Sequence, residues 1–255
     1  MPGRSRIRTA LTGERIAIWS LGLLVVAAAL IVGFAGTTFA PPAGSVESVE
    51  RTHSVAVAPA AGGYTITPAG KTAETGLVFY PGARVEPGAY VPVLAPVVEE
   101  TGAAVFVPRP RLNLAVFESG MATSIVESNP AIADWYVGGH SLGGAMACRY
   151  AADNADRLEG LVLFGAYCDR SIADADLRVL AVGGTRDTVL GTERSALRPE
   201  NLPESAIIRR IEGLNHTQFG RYHGQSGDSP ATITRETAHE RLQSVLVDFL
   251  REKSQ

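Results

Sequence analysis

A chain of 255 residues with 45% hydrophobic and 19% charged content can bury one sizeable core, which excludes overall disorder. Its net charge of -3, with no basic run beyond the N-terminus, excludes the concentrated positive face that a nucleic-acid partner requires. No set of Cys and His residues has metal-ligand spacing, so neither a metal nor a cofactor is expected.

The N-terminus sets the expected location. Arg4, Arg6, Arg8 and Arg15 precede an uncharged apolar stretch from Ile16 to Gly36, and no charge returns until Glu47. About 20 apolar residues span a bilayer as a helix, so residues 1–15 read as a cytoplasmic basic segment and 16–36 as a transmembrane signal anchor. By the positive-inside rule everything after the span faces outward. The competing reading is a secreted protein cut near Ala40, where Thr38-Phe39-Ala40 has small-x-small form. The apolar run is longer than a signal peptide needs, and Pro41 would follow the cut, so the anchor is preferred. Residues 37–46, rich in Pro, Ala and Gly, read as a spacer with a reach of at most about 35 Å, and 47–255 as one domain.

In that domain Ser54–Ala58 and Tyr64–Thr67 alternate around Ala61, Gly62 and Gly63, which predicts a hairpin. Strands and helices then take turns. Gly76–Tyr80 and Ala103–Val107 read as strands, Ala89–Thr101 and Met121–Ser128 as helices, the first starting near Pro92 and kinked at Pro96. Trp135–Val137 reads as the end of a buried strand and Met146–Ala152 as a helix. A strand ending near Gly165 and strands at Leu177–Val182 and Ala206–Ile211 come next, and a helix over Thr232–Glu252 closes the chain. This alternation predicts a mostly parallel sheet covered by helices on both faces. The short interval between the strands near Gly165 and Leu177 leaves no room for a cap domain.

Gly139-His140-Ser141-Leu142-Gly143 falls between a strand and a helix, which places Ser141 on a sharp turn as a candidate nucleophile. Such a hydroxyl needs a base, and the base needs an orienting acid. Asp187 follows the Leu177–Val182 strand, and His216 follows the Ala206–Ile211 strand. The order Ser, Asp, His is the one used on α/β-hydrolase sheets. Position favours Asp187 over Asp169, Glu193 and Asp228, and His216 over His223. His140 is expected to be structural, with its side chain turned away, while His53 and His239 look exposed. Oxyanion donors are expected from the Leu142 N-H and from one of Gly82, Ala83 and Arg84, Pro81 having no N-H. Cys148 and Cys168 could bridge, though two buried free thiols are the preferred reading.

Several motifs together resemble the small, dienelactone-hydrolase-like group of bacterial α/β-hydrolases known as family 5. They are Tyr80-Pro81-Gly82 followed by Val85 and Tyr90, Leu112-Asn113-Leu114-Ala115, Gly139-His140-Ser141-Leu142-Gly143-Gly144, and Asn215-His216 leading to Gln218-Phe219-Gly220. The resemblance runs from about Gly76 to the end and departs at Leu214, where a second glycine is expected. It implies the α/β-hydrolase fold with Ser141 as nucleophile, Asp187 as acid and His216 as base. The expected activity is that of a membrane-anchored, extracytoplasmic serine hydrolase cleaving a small-molecule or lipid-like carboxylic ester through an acyl-enzyme. Acyl transfer to an envelope alcohol, or a catalytically silent binding module, are the alternatives. Substrate identity and oligomeric state are not legible.

Overall fold

The computed structural model describes residues 13–252; Arg4, Arg6 and Arg8 lie outside them. The chain divides into two units, Met1–Thr37 and Thr38–Gln255. The first contains α1 (Gly13–Gly36), a helix of 24 residues whose Ile16, Ile18, Trp19, Leu21, Leu23 and Leu24 are exposed. Among the described residues no helix is long and apolar enough to cross a membrane, and several side chains of α1 are not among them. The expected span therefore rests on the sequence.

The second unit is built on one eight-stranded sheet of order β1-β2-β4-β3-β5-β6-β7-β8. After a short turn of helix, α2 (Val49–Thr52), the strands β1 (Val55–Ala60) and β2 (Gly63–Pro68) form the predicted hairpin around Ala61 and Gly62. β2 pairs antiparallel with β4 (Ala104–Val107). The remaining pairings are parallel and involve β3 (Thr75–Tyr80), β5 (Asp134–His140), β6 (Gly160–Phe164), β7 (Arg178–Gly184) and β8 (Ile207–Ile211). Helices α3 (Val91–Thr101), α4 (Met121–Ser128) and α5 (Leu142–Asp153) occupy the crossovers, and α6 (Arg235–Arg251) closes the chain. Pro92 lies in the first turn of α3, where a missing N-H costs nothing, and Pro96 is inside the helix.

The period of two along each strand sorts side chains between two cores. Leu77, Phe79, Val105, Val162, Phe164, Leu180 and Val182 face one way, onto α3 and α6. Val78, Tyr80, Ala104, Leu161, Leu163, Val179 and Ala181 face the other, onto α4 and α5. Burial on both faces explains why these strands read as nearly continuous apolar runs.

Two expectations are corrected here. Cys148 of α5 and Cys168 after β6 are not free thiols but a disulfide, at a Cα separation of 5.4 Å, within the ordinary bridging range. It closes a loop with a sequence separation of 20, for which loop entropy gives about 3 kcal/mol. Reduction in a thermal melt is therefore expected to lower Tm by roughly 5–10 °C. An unchanged melt would assign the bridge no role in stability. The second correction concerns residues 37–46. Thr38 and Phe39 are not free spacer: the Phe39 N-H donates to the Arg84 carbonyl at 2.7 Å, the Glu86 N-H donates to the Phe39 carbonyl at 3.0 Å, and Phe39 bridges in parallel to Val85.

Candidate active site

The residues singled out from sequence gather at the carboxyl ends of neighbouring strands, where open α/β sheets bind ligands. Ser141 lies between β5 and α5 with φ 54° and ψ -125°, a left-handed conformation that costs a non-glycine residue of order 1 kcal/mol or more. Its flanking glycines permit the turn. A Cβ at Gly143 would stand 2.3 Å from the Tyr80 and Pro81 carbonyl oxygens, and one at Gly139 2.6 Å from the Gly143 carbonyl carbon.

Asp187 and His216 are both buried, at 0% and 1% exposure, and Asp187 Oδ2 stands 2.8 Å from His216 Nδ1. The other carboxylate oxygen accepts from the Val189 and Leu190 N-H groups at 3.1 and 2.8 Å. The carboxylate is thereby fixed in plane and in register. His216 opens a 3-10 turn capped reciprocally by Asn215 and Gln218. Asp228 Oδ2 accepts from both the N-H and the hydroxyl of Thr217, and Arg235 donates to the Thr217 and Gly220 carbonyls. His216 Nε2 is buried with no hydrogen-bond partner among the described residues. It shares a cavity of about 230 Å³ with Ser141, lined also by Leu142, Ala145, Tyr167 and Leu190. A larger groove of about 710 Å³ between the β1–β2 hairpin and α4 contains neither.

The rivals are placed elsewhere. Asp169 is paired with Arg149, Asp228 holds Thr217, and Glu193 and His223 are exposed. Leu214, the departure from the family pattern, is buried, and its carbonyl accepts from the Arg186 N-H at 2.9 Å.

Of the expected oxyanion donors, two are otherwise engaged. The Gly82 N-H donates to the Tyr90 hydroxyl at 2.9 Å, and the Arg84 N-H to the Asn113 carbonyl at 2.8 Å. Among the described residues nothing accepts from the Ala83 N-H. Leu142 is the first residue of α5, where backbone N-H groups have no helical partner.

Sequence reasoning missed what lies beneath the site. His140 does not turn away: its ring centroid is 4.5 Å from that of His216, and its Nδ1 shares a 2.9 Å hydrogen bond with the Tyr90 hydroxyl. Burial, reinforced by the adjacent His216, drives its pKa well below the usual range, so His140 is neutral. Burial likewise raises the Tyr90 hydroxyl. His239 is also buried, not exposed, and desolvation lowers its pKa to about 4. The spacing of the resembling motifs, with Tyr90 recurring beside the Tyr80-Pro81-Gly82 element and His140 beside Ser141, was the signal available for the first pair.

Tyr90 thus joins the loop after β3 to the strand end that carries Ser141. Tyr90→Phe would strand both the Gly82 N-H and His140 Nδ1 in the interior. A buried unsatisfied group costs about 1–3 kcal/mol, so a loss of about 2 kcal/mol in urea unfolding is expected, with a fall in kcat of about tenfold. Unchanged values in both assays would assign the hydroxyl no such role.

A family model described as alpha/beta hydrolase family matches residues 76–240, more than half of the chain. No curated protein matches. Among solved structures the chain is similar to a predicted CIB-like hydrolase from Thermoplasma acidophilum, at 15% identity and TM-score 0.56 over 77% of this chain and 97% of that one. It is similar to an alpha-beta serine hydrolase homologue from Coxiella burnetii, at 16% and 0.53 over 76% and 95%. It is also similar to a dienelactone hydrolase from Anabaena variabilis, at 16% and 0.53 over 80% and 100%. At such identities the likeness is one of fold, and the sheet order, the strand-to-helix serine turn and the family match carry the assignment together: this chain belongs to the alpha/beta hydrolase family.

Proposed function

We propose that this hydrolase-fold protein is a serine hydrolase that cleaves carboxylic esters through an acyl-enzyme on Ser141. The observation that carries the reading is the buried Nε2 of His216, without a partner among the described residues, fixed from behind by Asp187 and sharing a small cavity with a serine on a strained turn. Ser141 Oγ attacks the ester carbonyl carbon while His216 Nε2 takes its proton. The ester C-O bond then breaks, and the alcohol leaves with that proton. Water repeats the sequence in the second half, releasing the acid and restoring Ser141. Asp187 holds the imidazole tautomer and stabilises the imidazolium. The Leu142 and Ala83 N-H groups stabilise the charge on the carbonyl oxygen.

A cavity of about 230 Å³ with apolar walls is smaller than the pockets of about 300–1,000 Å³ that take drug-sized ligands, which favours short acyl groups. Export fits the disulfide, since such bridges persist in oxidising compartments. A retained membrane anchor rests on the sequence of 16–36, an uncharged apolar stretch whose 21 residues would reach about 32 Å as a helix against about 30 Å of hydrocarbon. It also fits the integration of Thr38 and Phe39 into the second unit, which a cut near Ala40 would remove. Acyl transfer would use the same groups and would appear as ester product when an alcohol acceptor is added.

The test is labelling of the folded full chain by a fluorophosphonate, with the adduct mapped by peptide mass. Attachment at Ser141 supports the reading. A folded protein that stays unlabelled overturns it in favour of a binding module. In a series of p-nitrophenyl esters, the best kcat/KM should fall at the shortest chains.

A further inference from the structure

We infer that Phe39, outside the family-matched region, is a positioning residue for the oxyanion loop; the inference rests on the hydrolase reading above. The loop after β3 contains Arg84 at φ 63°, a left-handed conformation that a side-chain-bearing residue keeps only when its surroundings impose it. Arg84 directly follows Ala83, whose N-H is the donor left unengaged. The Ala83 N-H belongs to the Gly82–Ala83 peptide, whose carbonyl accepts from the Val85 N-H at 3.1 Å; that bond closes a four-residue turn with Arg84 at its third position, so whatever holds Arg84 holds the donor.

The contacts that hold it include three. The Arg84 N-H donates to the Asn113 carbonyl at 2.8 Å, and the Arg84 carbonyl accepts from the Phe39 N-H at 2.7 Å. The Arg84 guanidinium lies over the Phe39 ring, 4.8 Å from its centroid, a cation-π contact. Phe39 is itself pinned. Its carbonyl accepts from the Glu86 N-H at 3.0 Å, the hydroxyl of Thr38 donates to Glu86 Oε1 at 2.7 Å, and its ring stands 5.7 Å from that of Tyr222. Tyr222 is buried in the segment that follows His216. Phe39 therefore clasps the loop behind the oxyanion donor to the segment behind the base. Two contacts pass through Arg84, and one of them depends on the ring.

A residue acting this way supports the transition state more than substrate binding, because the oxyanion forms only as the reaction proceeds. In the full chain, Phe39→Ala and Phe39→Leu are expected to lower kcat on the order of tenfold, as small misplacements of a reacting group do, with KM changed less than about twofold. Phe39→Tyr keeps the ring and should restore the wild-type rate. Glycine adopts positive φ without cost, so Arg84→Gly removes the need for the clasp. In that background Phe39→Ala should lower kcat by less than about twofold. Wild-type kcat in both Phe39→Ala and Phe39→Leu, with Ser141 still labelled by the fluorophosphonate, overturns the inference and leaves the hydrolase reading intact. Full multiplication of the Phe39→Ala and Arg84→Gly effects, or loss of folding in both Phe39 variants, assigns Phe39 to packing alone and overturns it as well. Absence of labelling in the wild type overturns both.

Discussion

Ser141→Ala is expected to lower kcat by about 10⁶ while leaving the thermal melt within a few degrees of wild type. The size follows from the position of the hydroxyl. Among the described residues it is the only serine or threonine oxygen lining the cavity, and His216 Nε2 there has no other partner, so its removal leaves no nucleophile for the base to activate. Residual turnover would come from water acting with the oxyanion donors, at about 10³-fold over the uncatalysed reaction. The melt should barely move because Ser141 makes no side-chain cap to α5. What fixes the turn is backbone: the Ser141 N-H donates to the Phe164 carbonyl at 3.0 Å, and the Ala145 N-H donates to the Ser141 carbonyl at 3.1 Å. Single-turnover ester hydrolysis measures the rate. Activity of Ser141→Ala within tenfold of wild type would remove the serine from the mechanism.

How legible this arrangement was depended on the kind of force behind each part. β3, β4, β6 and β7 are buried on both faces, so hydrophobicity alone betrays them as runs of Val, Leu, Phe and Ala. β5 was legible only at Trp135–Val137, because its last residues, Gly138, Gly139 and His140, read locally as a turn. They stay in the sheet through pairing with β3 and β6, so close that a Cβ at Gly138 would stand 2.7 Å from the Val162 carbonyl oxygen, a closeness that no single-strand pattern encodes. The start of α5 at Leu142 was hidden for the same reason. Asp187 and His216 could be named from their places after strands. The disulfide, the tilted packing of the His140 ring against His216 and the attachment of Phe39 to Arg84 could not. Each joins residues whose distance is set by the sheet twist and crossover lengths. Ala83 could be separated from Gly82 and Arg84 only once the partners of their N-H groups were known.

Asp187→Asn is the sharper discriminator, because it turns one carboxylate oxygen into an NH₂ donor and removes the charge with almost no change of volume. Asp187 Oδ1 accepts from two N-H groups, Val189 and Leu190, and an amide placed there must keep its oxygen toward them or leave both without an acceptor. Its NH₂ is then forced toward His216 Nδ1. A donor at that position accepts no proton from Nδ1, so the neutral imidazole carries its proton on Nε2 instead and presents no lone pair to Ser141. The rate should fall by about 10⁴ with geometry retained, because the base is present in the wrong tautomer. The nearby carboxylates supply the control. Asp169→Asn weakens a partly exposed pair with Arg149, and such pairs contribute about 0–1 kcal/mol to stability; kcat should be unchanged. Asp228→Asn weakens the hold on Thr217 and should lower stability more than it lowers kcat. Measured by kcat/KM on one short-chain ester, the order Asp187 far below Asp228, and Asp228 below Asp169, follows from the geometry. A loss under tenfold in Asp187→Asn, or an equal loss in Asp228→Asn, would move the acid to another residue.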